Sequence, residues 1–132
     1  MPDSRASNER RALQIVVAIA SLVPILGGAE GIILGPLLID ERSAPTADLD
    51  SHFRYLSGIL LGIGLAYATA VPGIHLQKKR FMLLCGIVVL GGLGRLFSLI
   101  AMGTPSPVMI GALMMELLVT PLITLWQLRI AR

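Results

Sequence analysis

Residues 81–102 read FMLLCGIVVLGGLGRLFSLIAM, an unbroken apolar run with one charge, Arg95, set inside it. As a helix rising ~1.5 Å per residue, a run of this length crosses a hydrocarbon core about 30 Å thick. Three more runs share its length and character: ALQIVVAIASLVPILGGAEGIIL at 12–34, FRYLSGILLGIGLAYATAVPGI at 53–74, and PVMIGALMMELLVTPLITLWQL at 107–128. Such a core offers no water to backbone N–H and C=O groups, so each run has to satisfy them internally as a helix. The connections at 35–52, 75–80 and 103–106 are short, which makes sequential neighbours antiparallel. The expected fold is therefore all-α: an integral membrane four-helix bundle forming one domain over 12–132, with residues 1–11 as a disordered cytoplasmic tail.

Composition points the same way. The chain is 55% hydrophobic and 14% charged, with a mean hydropathy of +0.80. A soluble domain carries about 25% charged residues, so this chain lacks the charge to cover a watery surface. Its 132 residues suit one domain. The net charge of +3 and pI near 9.6 would fit nucleic acid. The basic residues, however, flank the apolar runs without interleaved aromatics, so the expected partner is the lipid bilayer and not nucleic acid. The only cysteine is Cys85, which excludes an intrachain disulfide and a cysteine-based metal site. His52 and His75 fall at helix ends on opposite sides and cannot share a metal. No metal or cofactor is expected.

Orientation follows from Lys and Arg. Arg5, Arg10, Arg11, Lys78, Lys79, Arg80, Arg129 and Arg132 lie on one side, and Arg42 and Arg54 on the other. The excess of positive charge on cytoplasmic loops places both termini and the 75–80 loop in the cytoplasm of a cell with an inner membrane. The first run has the basic start of a signal peptide and a small-residue stretch near Ala29. It continues beyond the usual 7–15-residue core of such a segment, so an uncleaved helix is expected.

Punctuation marks the boundaries. Gly35-Pro36 should end or bend the first helix. Ser106-Pro107 is an N-cap followed by proline at the first helical position, and Asp50 or Ser51 is expected to cap the second helix. Pro24 and Pro121 fall inside spans, where each should kink its helix and free a carbonyl. Gly27, Gly31 and Gly35 in the first run, and Gly58, Gly62, Ala66 and Ala70 in the second, form small-residue stripes suited to close helix contact. Tyr55 and Trp126 lie at interface depth.

Ionisable residues inside the spans are the candidate site. Arg95 lies about 10 Å below the outer end of its helix, Glu116 roughly 14 Å below the outer surface, and Glu30 about 6 Å short of the Gly35-Pro36 break. Arg54 stands at the outer boundary of the second span and is long enough to reach down. An unpaired charge at mid-membrane costs about 2.5–3.5 kcal/mol or more, and opposite charges within about 4–6 Å keep each other ionised. Arg95 is expected to face Glu116 and Glu30, with Arg54 completing a set of two cations and two anions. Two roles are open: an ion-pair staple between helices, or a polar pocket for a headgroup, proton or small anion.

The stretch GRLFSLIAMGTPSP followed by MMELL resembles the domain-of-unknown-function 4345 family of small four-helix bacterial membrane proteins. The matching residues are Arg95, Gly103, Pro105, Ser106 and Glu116. FRYLSGILLGIGL resembles that family's second-span start through Arg54, Gly58, Gly62 and Gly64. An acidic residue before the proline that ends the first span is part of the family pattern; here Gly35 precedes Pro36. The resemblance implies four membrane helices over roughly 12–128 and implies no activity.

Three function classes follow. The first is an accessory or scaffold protein that packs against itself or a membrane partner protein. The second binds or transports a small ligand, ion or lipid headgroup, as an oligomer. The third is a membrane enzyme acting on a lipophilic substrate. The enzyme class is disfavoured, because no nucleophile–base pair, metal spacing or phosphate loop is present. A carboxylate neutralised by arginine also makes a poor general acid near neutral pH.

Overall fold

The computed structural model describes residues 2–42 and 44–131. Met1, placed above in the tail, and Arg132, counted above in the orientation, lie outside the described residues. Among the described residues all regular structure is helical: α1 is Pro2–Leu34, α2 is Ala47–Ala68, α3 is Lys78–Met102 and α4 is Pro107–Ile130. A 3-10 turn follows α1 at Gly35–Leu38, another precedes α3 at Ile74–Leu76, and α4 passes through a π turn at Met115–Val119. α1 with its 3-10 turn, α3 and α4 are long and apolar enough to cross a membrane; α2 is not among them. The chain forms two compact units, residues 14–72 and residues 1–13 with 73–132.

In the unit of residues 14–72, α2 departs from the 53–74 span expected for it. It begins at Ala47 because Thr46 is its N-cap, the Thr46 hydroxyl accepting from the Leu49 N–H at 3.2 Å. Asp48 and Asp50 in the first turn complement the positive end of the helix. The helix ends at Ala68, ahead of Val71-Pro72-Gly73, where proline biases its predecessor away from helix. Because α2 ends at Ala68, only residues 55–68 follow Arg54 within the helix, which is why it falls short of the apolar length of the others. Gln14 on α1 donates to the carbonyls of Val71 at 2.9 Å and Pro72 at 3.3 Å, satisfying backbone groups that the helix leaves behind.

The close approach of α1 to α2 uses Gly28, Gly31 and Gly64. A Cβ on Gly28 would lie 2.5 Å from the Leu61 amide nitrogen, and one on Gly31 would overlap the Ser57 hydroxyl. One on Gly64 would stand 2.9 Å from the backbone nitrogen of Ile25. The expected stripes are thus offset in the contact: Gly62 meets open space, while Gly27 and Gly58 make only ordinary contacts.

In the other unit, α3 packs along α4, and Leu13, Ile74, Phe81, Leu84 and Leu113 form the buried apolar core. Gln127 is wholly buried there and its Nε2 donates to the Ile74 carbonyl at 2.7 Å, tying α4 to the 3-10 turn before α3. The residues expected to form a tail are helical from Pro2 onward. Glu9 accepts from Trp126 Nε1 at 3.3 Å and stands 3.6 Å from Arg129 Nε, contacts that tie the first helical turns to the end of α4.

Candidate functional site

Arg95 projects from α3, and Glu116 is the second residue of the π turn in α4. The turn has a local cause in sequence. Pro121 has no N–H to give to the carbonyl of Leu117, and its ring would crowd that carbonyl in a regular helix. The backbone adjusts over one turn: the Thr120 amide bonds to the Met115 carbonyl five residues back, and the Thr120 hydroxyl donates to the same oxygen at 2.8 Å. At Pro121, where a kink was expected, α4 thus takes an extra residue into the turn that carries Glu116. π turns of this kind recur at functional positions.

Arg95 and Glu116 make a two-point contact. Arg95 Nε donates to Glu116 Oε2 at 2.9 Å, and Nη2 donates to Oε1 at 3.0 Å, the parallel geometry that a planar guanidinium favours with a carboxylate. Nη1 points to the Met109 sulfur at 3.0 Å. The Arg95 side chain is 33% exposed and that of Glu116 is 17% exposed. Beneath them α3 and α4 approach closely at Gly92, which is buried. A Cβ there would lie 2.9 Å from Glu116 Cβ and 2.7 Å from Leu117 Cδ2. Gly91 and Gly94 face open space. Ser98, one turn beyond Arg95, is exposed.

Arg54 and Glu30 belong to the unit of residues 14–72. Arg54 is held by Asp50, with Nε donating to Oδ2 at 2.8 Å and Nη2 to Oδ1 at 3.2 Å. Its Nη1 donates to the Ile33 carbonyl at 3.0 Å and also to the Ile32 carbonyl. Arg54 thereby satisfies carbonyls at the last turn of α1, groups that a helix end leaves without partners. Gly35 follows with φ +62°, and a Cβ on it would stand 2.6 Å from Asp50 Oδ1 and 2.8 Å from Arg54 Nη2. Hydrogen bonding from Arg54 holds the Asp50 carboxyl below its ordinary value, against the opposing effect of desolvation. Glu30 is exposed, and its side chain forms no hydrogen bond among the described residues.

Sequence reading missed Asp50 as a partner, assigning it to a helix cap. The signal was present, because Asp50 and Arg54 are four residues apart and share a helix face. Met109 and Thr120 carried no comparable signal. Ser106 occupies the N-cap position of α4 as expected, but its hydroxyl makes no capping bond; its carbonyl accepts from Met109 and Ile110 instead. Among the described residues no group of three or more His, Cys, Asp or Glu is placed to hold a metal ion.

The model of a family described as a domain of unknown function (DUF4345) matches residues 12–127. No curated protein and no solved structure matches the chain.

Proposed function

The chain belongs to the DUF4345 family, and from that premise we propose that it is a multi-pass membrane protein of accessory or scaffold type, with Arg95 and Glu116 as the staple between its third and fourth spans. Both termini face the cytoplasm of a bacterial cell, and four antiparallel helices cross the inner membrane. The observation that carries this reading is the two-point contact of Arg95 with Glu116 above the tight Gly92 crossing, inside two helices whose length and composition suit a bilayer. A guanidinium and a carboxylate so matched cancel most of the cost of placing either in lipid. They also fix the register of two otherwise apolar surfaces.

A second reading gives the same residues to a small anion or headgroup entering from the outer leaflet. The partial exposure of Arg95 favours it. Single cysteines introduced beside the pair, at Ser98 and Ala112, in a Cys85→Ala background separate the two. A membrane-impermeant thiol reagent labels both if the pair is wetted from outside. Silence at both positions, in cells where an outer-loop cysteine is labelled, supports the staple.

A further inference from the structure

A separate concavity of about 440 Å³ opens where the first turns of α1, the 3-10 turn at Ile74–Leu76 and the end of α4 meet. Ser7, Glu9, Arg10, His75 and Arg129 supply its polar lining. It shares no residue with the Arg95–Glu116 contact, and Arg129 lies about 20 Å further along α4 than Glu116. The volume falls in the range of about 300–1,000 Å³ typical of small-molecule sites.

We propose that this pocket binds a phosphate group, presented by the headgroup of an anionic phospholipid. Three observations carry the assignment. First, the one carboxylate in the lining is already engaged: Glu9 accepts from Trp126 and stands 3.6 Å from Arg129. Second, Arg10 forms no ion pair among the described residues. Arg129 is 77% exposed and held only at that longer distance, so both guanidinium groups have donors to give. Third, His75 is part of the same lining, and a ring N–H of an imidazole can donate to a phosphate oxygen while the other oxygens meet Arg10 and Arg129.

Guanidinium groups match phosphate by planar, paired donation. Basic pockets at the cytoplasmic ends of membrane helices select acidic headgroups in this way. Trp126, the chain's only tryptophan, is bonded to Glu9 at the pocket wall and reports on occupancy.

The full-length chain is reconstituted in phosphatidylcholine vesicles carrying increasing phosphatidylglycerol, and Trp126 emission is followed. A saturable change is expected. Arg10→Gln with His75→Gln should raise the half-saturating lipid fraction at least fivefold, whereas Arg5→Gln, which removes an equal charge outside the pocket, should move it less than twofold. Arg10→Gln alone alters an exposed residue, keeps the test readable if the double variant does not fold, and is expected to weaken binding about threefold. Orthophosphate is titrated into pure phosphatidylcholine vesicles in parallel. Saturation by orthophosphate with equal loss in the pocket variant keeps the phosphate chemistry and overturns the lipid source. No saturable signal with either ligand, or equal weakening by Arg5→Gln, overturns the proposal.

Discussion

Gly92 and Glu116 face one another so closely that a methyl group on Gly92 would stand 2.9 Å from Glu116 Cβ. Gly92→Ala must therefore separate α3 from α4 or displace the Glu116 and Leu117 side chains, at a cost of about 1–3 kcal/mol for overpacking. Gly91→Ala meets open space and gains helix propensity. The expected outcome is a lower thermal midpoint in detergent for Gly92→Ala and an unchanged or higher one for Gly91→Ala. Equal behaviour of the two would remove the tight crossing from the account.

Gln127 provides a second anchor in the same unit. Its Nε2 is bonded to the Ile74 carbonyl at 2.7 Å in a wholly buried setting. Gln127→Leu keeps the volume but leaves that carbonyl only the longer bond from the Gln77 N–H at 3.3 Å, at the cost of one hydrogen bond, about 0.5–1.5 kcal/mol. The measurement is the thermal midpoint together with amide exchange over residues 74–77, whose protection should fall.

The end of α1 should respond to acid. Because Asp50 titrates below its ordinary value of 3.8 in the folded chain, its contribution is present above that value and is lost as pH falls through the lowered one. Exchange of the amides around Gly35–Leu38 is expected to rise as pH drops from 5 to 3, after correction for the intrinsic rate. In Asp50→Asn the rise should be absent. Gly35→Ala should loosen the same turn at all pH values, because φ +62° is strained for any residue with a Cβ.

Topology can be read with reporters fused at both termini and in the three loops. The proposed four crossings would have both termini report one side, the cytoplasm by the proposal. If α2, with Asp48, Asp50, His52 and Arg54 in its first half, stayed out of the bilayer, the two termini would report opposite sides.

The sequence revealed the helices where hydropathy and helix coincide. The runs at 81–102 and 107–128 differ by a few residues from Lys78–Met102 and Pro107–Ile130. In α2 the two part company: hydropathy located the apolar run, whereas Thr46 and the first-turn aspartates decided where the helix begins. Depth along the spans singled out positions 95 and 116. It could not tell that Arg54 would find Asp50 and the carbonyls of Ile32 and Ile33, because those depend on how α1 ends. Pro121 was visible as an irregularity, but which earlier carbonyl would be reused, and hence the π turn under Glu116, depends on backbone closure that spacing does not encode.

The pairing of Arg95 with Glu116 is tested most directly by exchanging the two charges. Each single change, Arg95→Glu or Glu116→Arg, sets two like charges against each other in lipid. The amount of full-length protein in the membrane should then fall several-fold, in keeping with about 2.5–3.5 kcal/mol for an uncompensated charge. The double exchange restores attraction and should recover at least half of the original level. Single variants that accumulate normally, or a double variant no better than the worse single, would contradict the staple.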